Sequence, residues 1–233
     1  MRAGTRRGPM RGLTLIELLV ALALLSLLAL LSWRTLDGMT RAQSITQEQL
    51  NRWSNWQTAL AQWDADLDAA LATEQVPPLD FDGRVLRLTR SDPDRGPDSG
   101  LRVVGWSLQT DPASGALRWA RWTSAPLRRS GELEQAWQQA AQWGRNPGAQ
   151  DRLQQVLLTP VASWQLFFHR GGAWSNPQSA EGTANTVTDL AQTPATQSLP
   201  DGVRLLLTLP AGGNPGGQLV RDWVRPSLGG EGQ

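Results

Sequence analysis

The sequence predicts an α+β protein: a long N-terminal helix, membrane-spanning first and amphipathic after, packed on an antiparallel β-sheet head. Three observations carry this reading. Leu13 to Trp33 is an almost unbroken apolar run, about the ~20 residues needed to cross a hydrocarbon core. Apolar residues then recur at helical spacing with no Pro until Pro77-Pro78, where a helix must stop. Beyond that point come short apolar segments divided by Pro-, Asp- and Gly-rich turns, the pattern of β-strands.

The chain has 233 residues, 40% hydrophobic and 18% charged, enough for one moderate domain plus an extended or membrane-bound part. The formal charge of +1 comes from scattered basic residues, so there is no electrostatic footprint of a nucleic-acid binder. No Cys is present, which excludes disulfides and thiolate metal sites. Lys and Tyr are absent while Trp stands at 12. Two readings of the Trp content are open, compositional drift toward Arg and Trp codons or a Trp-rich sugar-binding face.

Arg2, Arg6, Arg7 and Arg11 precede the apolar run with no acidic residue among them. The positive-inside bias therefore puts the N-terminus in the cytoplasm and everything after Trp33 across the membrane. A secretory signal peptide would have a shorter apolar stretch and an A-x-A-like cut, and none stands clearly after the run. "TRRGPMR" matches a twin-arginine signal poorly. Glu17 is the one carboxylate in the run. It costs about 2 to 3 kcal/mol on insertion scales, which makes a functional partner the default hypothesis. A cut between Gly12 and Leu13 would place a new α-ammonium one helical turn before Glu17, at i and i+4. The alternative is that Glu17 snorkels to the headgroups from its position near the cytoplasmic end.

The string "RGLTLIELLVALALLSLLALLSWRTLDGM" resembles the prepilin N-terminal motif of type IV pilins and type II secretion pseudopilins: a basic leader, Gly, the cut, an apolar residue, and Glu at the fifth mature position. By that resemblance Gly12 precedes the cut made by a prepilin peptidase, and Leu13 becomes the N-methylated first residue. Glu17 then pairs with an N-terminal amine, its own or a neighbour's, during assembly. The family usually has Phe where this chain has Leu13. Loss of the leader would leave 18 Arg against 21 acidic residues, a formal −3.

Past Trp33 the apolar positions are Leu36, Met39, Ile45, Leu50, Trp53, Trp56, Leu60, Trp63, Leu67 and Leu71, mostly three and four apart. One helix of roughly 60 residues, about 90 Å long, follows. Its second half offers a Trp and Leu stripe to the head, with Arg52, Gln57, Asp64 and Asp68 largely on the other side. A coiled-coil seam is the alternative use of the stripe. The boundaries expected are a leader at 1–12, a transmembrane helix at 13–33, its periplasmic continuation at 34–76, a β-rich head at 77–226 and a mobile tail at 227–233.

In the head, strands are expected at Arg84–Thr89, Leu101–Leu108, Leu117–Trp122, Val161–Arg170, Val203–Leu209 and Gln218–Arg225. The second and third form a hairpin through "QTDPASGA". Glu132–Trp143 reads as an amphipathic helix closed by Gly144, and Ser175–Gln197 as a long polar loop. This order resembles the pseudopilin architecture over nearly the whole chain, and within it the J-type minor pseudopilins of the type II secretion system. "WRTLDGMTRAQ", "SGLRVVGWSL", "VASWQLFFHRGGAW", "LPDGVRLLLTL" and "GGQLVRDWVRP" carry the resemblance. It implies two small antiparallel sheets packed about the helix, and a place beside the I- and K-type minor pseudopilins in a tip complex that primes assembly of the major pseudopilin. It also implies a single-pass inner-membrane anchor and no enzymatic activity.

Catalytic chemistry has little to stand on. His169 is the only histidine, which with no Cys rules out a His-based metal cluster or thiol nucleophile, and no cofactor is expected. Asp92, Asp94 and Asp98 form the densest acidic loop, readable as a calcium loop or a solvated turn, with Pro93 and Pro97 breaking the EF-hand pattern. Asp64, Asp66 and Asp68 point in different directions around their helix and read as solvent charges. The rival functions are a minor pilin of a type IV pilus and, from another class, a membrane-anchored carbohydrate-binding protein.

Overall fold

The computed structural model describes residues 14–91, 100–177, 198–211 and 216–226. The chain divides into two units, Met1–Arg52 and Trp53–Gln233. The first helix, α1 (Leu15–Asp68), begins in one and ends in the other. Its early part is rich in Leu and Ala, strong helix formers, and no residue between Leu15 and Gln49 is buried. An apolar stretch of mean hydropathy 2.6 with nothing packed on it is long enough to cross a membrane.

The second unit is the head. A five-stranded antiparallel sheet runs in the order β1 (Leu79–Phe81), β2 (Val85–Ser91), β3 (Leu101–Thr110), β4 (Leu117–Thr123) and β5 (Gln155–Pro160). A four-stranded antiparallel sheet has the order β7 (Ala173–Ser175), β6 (Ser163–Arg170), β8 (Gly202–Thr208) and β9 (Gln218–Val224). Helices α2 (Ser130–Arg145) and α3 (Ala149–Leu153) fall between β4 and β5. The long helix and antiparallel sheets make this the α+β fold expected. The β3–β4 hairpin is present, with Thr110 opposite Leu117. Asp111 organises its turn, accepting the Ala113 N–H and the Ser114 hydroxyl at 2.9 Å each, and Gly115 supplies the positive φ of +69°.

Period-two alternation sends the residues of the first sheet into two cores. Leu86, Leu88, Val104, Trp106 and Trp119 face Trp56, Ala59, Trp63 and Leu67 of α1, together with Leu166, Phe168, Val203, Leu205 and Trp223 of the second sheet. Val85, Val103, Ala120 and Trp122 face Leu133, Ala136, Trp137, Ala140 and Trp143 of α2. Of the stripe, Trp56, Trp63 and Leu67 are buried against the head and Leu60 packs there partly buried, with Ala59 between them, while Trp53 is half exposed and Leu36, Met39, Ile45 and Leu50 are exposed.

Two boundaries differ from the sequence reading. α1 ends at Asp68, not Val76. The next residues pair with β2 instead: Ala70 bridges Arg90, and the Leu71 N–H donates to the Thr89 carbonyl at 2.8 Å. Sheet pairing stops the helix before proline is reached. Gly144 does not close α2, which continues to Arg145 with Asn146 as its C-cap. Its role is close approach: a Cβ there would lie 2.6 Å from the Val85 Cβ, and one on Gly105 would lie 3.0 Å from the Trp143 ring. These two glycines let α2 sit down on the sheet.

β1, α3, β5 and β7 were not expected from sequence. All are five residues or fewer except β5, an edge strand ending at Pro160, where a missing N–H is tolerated. The segment Ser175–Gln197 read as a loop lies largely outside the described residues, as do Asp92, Asp94 and Asp98 and the tail at 227–233.

Candidate functional site

The site singled out by sequence is the start of α1. Gly12 and Leu13 lie outside the described residues; Glu17 is in the first turn of the helix. Its carboxylate is engaged by Thr14. Glu17 Oε2 accepts the Thr14 backbone N–H and the Thr14 hydroxyl, both at 2.9 Å, and the Glu17 N–H reaches back to Thr14 Oγ1 at 3.4 Å. This is a reciprocal capping box with Thr14 as N-cap and Glu17 at the third helical position. The T-x-x-E spacing in "LTLIE" was the signal that would have revealed it. A carboxylate here also meets the positive end of the helix dipole. Glu17 therefore has a neutral hydrogen-bonding partner in the single chain. Thr14→Val, which keeps the shape and removes the hydroxyl, should weaken the cap by about 1 kcal/mol. Hydrogen exchange of the first-turn amides in detergent should then quicken about fivefold; an unchanged rate would show that the cap contributes nothing.

The second arrangement ties α1 to the head, and it corrects the reading of three aspartates as solvent charges. Positions 64, 66 and 68 turn by about 200° per step of two residues, so neighbours in the series face opposite ways. Asp66 is completely buried. It meets the inner face of the first sheet, where Arg121 sits opposite Trp106 in register and Arg90 lies farther along β2. Arg90 Nη1 donates to its Oδ1 at 2.5 Å, Trp106 Nε1 to Oδ2 at 2.9 Å, and Arg121 Nε and Nη2 to Oδ2 and Oδ1 at 2.7 and 2.8 Å. Gln62 Nε2 adds a bond at 3.2 Å. Every lone pair of the carboxylate is used, the condition under which a buried charge is tolerated. Asp64 and Asp68 face β9 instead: Arg221 Nη2 donates to Asp64 Oδ2 at 2.5 Å and Trp223 Nε1 to Asp68 Oδ1 at 2.7 Å. Hydrogen bonding to Asp64 raises the Arg221 pKa above its ordinary value. Three aspartates of one helix thus grip both sheets.

His169 pairs with Trp174 across β6 and β7, ring centroids 5.1 Å apart, next to the turn made by Gly171 and Gly172, both at positive φ. Eight of the twelve tryptophans are buried: Trp56, Trp63, Trp106, Trp119, Trp122, Trp137, Trp143 and Trp223. In the head the indoles chiefly fill the cores, a use that neither compositional drift nor a sugar-binding face had named.

Comparison with known families adds two matches. The profile of type II secretion system protein J matches residues 34–218. That of the prokaryotic N-terminal methylation motif matches residues 8–33, a stretch that includes Gly12, Leu13, Glu17 and the apolar run. No curated protein matches the chain.

Proposed function

The chain belongs to the type II secretion system protein J family, and from that premise we propose that it sits at the pseudopilus tip with the I- and K-type minor pseudopilins and primes assembly of the major pseudopilin. The family is one of structural pseudopilins, anchored in the membrane by an apolar helix of the kind α1 provides. The observation that carries the reading is the succession along one chain of a methylation motif, an unpacked apolar helix and a protein J head. The type IV minor pilin reading shares the motif but lacks the protein J match.

In this scheme a prepilin peptidase cuts after Gly12, Leu13 is methylated, the N-terminus faces the cytoplasm and the head lies in the periplasm. The new amine would be one residue from the Thr14 N–H that Glu17 already accepts, so the capping box holds the carboxylate where the amine arises. A tip subunit has no neighbour ahead of it, and its carboxylate would pair with its own amine.

N-terminal sequencing of the membrane-extracted protein should find Leu13; a chain beginning at Met1 or near Ser32 would refute the processing scheme. Glu17→Ala should still insert and be cut, because removing a charge eases residence in lipid. Recruitment of partner subunits should fall, since an ammonium without its carboxylate is costly among close-packed helices in a low dielectric. The test is secretion and cross-linking to partners in cells lacking the native protein. Wild-type levels of both would mean that Glu17 caps its helix and does nothing for assembly.

A further inference from the structure

One cavity of the head carries an unbalanced set of charges. About 570 Å³ in volume, it is lined by Arg84 from the β1–β2 turn, Arg145 at the end of α2 and Arg152 in α3, with no carboxylate in its wall. Of the three guanidinium groups, Asp82 pairs with that of Arg145, at 3.4 Å, while its other oxygen accepts the backbone N–H groups of Arg84 and Val85. Among the described residues neither Arg84 nor Arg152 makes a salt bridge. Two cations are thus left uncompensated in a chain whose formal charge is only +1.

The wall is held in place independently of any ligand. The Ser107 hydroxyl donates to the Arg84 carbonyl at 2.8 Å. Gln109 Nε2 donates to the Trp143 carbonyl at 3.1 Å, and Trp143 Nε1 to Gln155 Oε1 at 2.8 Å. Half-buried Leu108 and Trp164 complete it with apolar surface. The C-terminal end of α2 contributes about half a negative charge of helix dipole, less than the two guanidinium groups without a carboxylate supply, so the cavity remains attractive to anions.

We propose that this cavity docks an acidic peptide segment of a partner protein, one carboxylate side chain entering beside an apolar neighbour. Guanidinium groups bind planar carboxylates through two parallel hydrogen bonds, and the apolar neighbour lies on Trp164, since indole surfaces anchor interfaces well. Charge complementarity selects the occupant: a basic segment would face like charges, and a purely apolar one would strip water from the guanidinium groups with nothing in return. The inference does not rest on the tip assignment, because its test reads binding by the isolated chain and not secretion.

The test uses the full chain in neutral detergent and a fluorescent peptide of one Trp followed by four Asp. Binding should be saturable and weaken with salt, and the same peptide with Asn in place of Asp should not bind. The combined Arg84→Gln, Arg145→Gln and Arg152→Gln variant should lose about tenfold in affinity. Arg152→Glu alone, an exposed change, should also weaken binding and serves if the triple variant does not fold. No binding by the wild type, or equal affinity for the Arg152→Glu variant, overturns the proposal. Displacement of the peptide by millimolar inorganic phosphate would also overturn it, by showing a general phosphate or headgroup site.

Discussion

Asp66→Asn should be among the most damaging single changes in the head, lowering its stability by about 3 to 5 kcal/mol. The carboxylate is fully buried and is the acceptor for two guanidinium groups whose side chains are themselves only 15% and 17% exposed. Removing its charge leaves Arg90 and Arg121 in the interior with their desolvation uncompensated, which is costlier than losing a surface pair. Changing all three residues together to apolar ones of similar size, Asp66→Leu with Arg90→Met and Arg121→Met, should recover most of the loss, since well-packed apolar groups often equal a buried ion pair. Urea unfolding followed by tryptophan fluorescence distinguishes these outcomes. A single variant as stable as wild type would mean that the cluster hydrates freely; a triple variant worse than the single one would mean that the ion network specifies the packing.

Trp63→Ala should cost about 3 to 5 kcal/mol by leaving a large cavity, and should lower the melting temperature by roughly 10 °C. Trp63 is completely buried between Trp106 and Trp119, ring centroids 5.4 Å from each. It joins the helix to the first sheet beside the Asp66 cluster. Its indole N–H has no hydrogen-bond partner among the described residues, so Trp63→Phe forfeits volume but no polar contact and should cost markedly less. Thermal melting of the chain with residues before about Leu36 deleted is the direct measurement. A fragment indifferent to Trp63→Ala would show that the stripe serves a partner chain and not its own sheets.

Trp63 and Asp66 differ in how far the sequence disclosed them. Trp56, Trp63 and Leu67 were readable as a head-facing stripe because the helical period alone sets which residues share a face. Asp66 was not: the same rotation that separates it from Asp64 and Asp68 says nothing about what each direction meets. A carboxylate is ordinarily a surface group, and only Arg90 and Arg121, 24 and 55 residues away, reverse that expectation. No local rule joins residues at such separations.

The same division runs through the rest of the chain. Its own sequence determined the apolar helix long enough to cross a membrane, the methylation motif over residues 8–33, the T-x-x-E cap, most strand positions and the β3–β4 hairpin. Each of these rests on interactions within a few residues or on a simple period, as length against bilayer thickness, spacing against helical turn, and turn chemistry all do. Tertiary structure alone decided where α1 ends, because sheet pairing of Ala70 and Leu71 with β2 took the backbone groups that the helix would have used. It also gave Gly144 a packing role in place of a capping one and turned three aspartates into a grip on two sheets. Those outcomes depend on which distant groups arrive within 3 Å of one another, and backbone and side-chain polar groups that would otherwise be buried unpaired take whatever partner the fold brings.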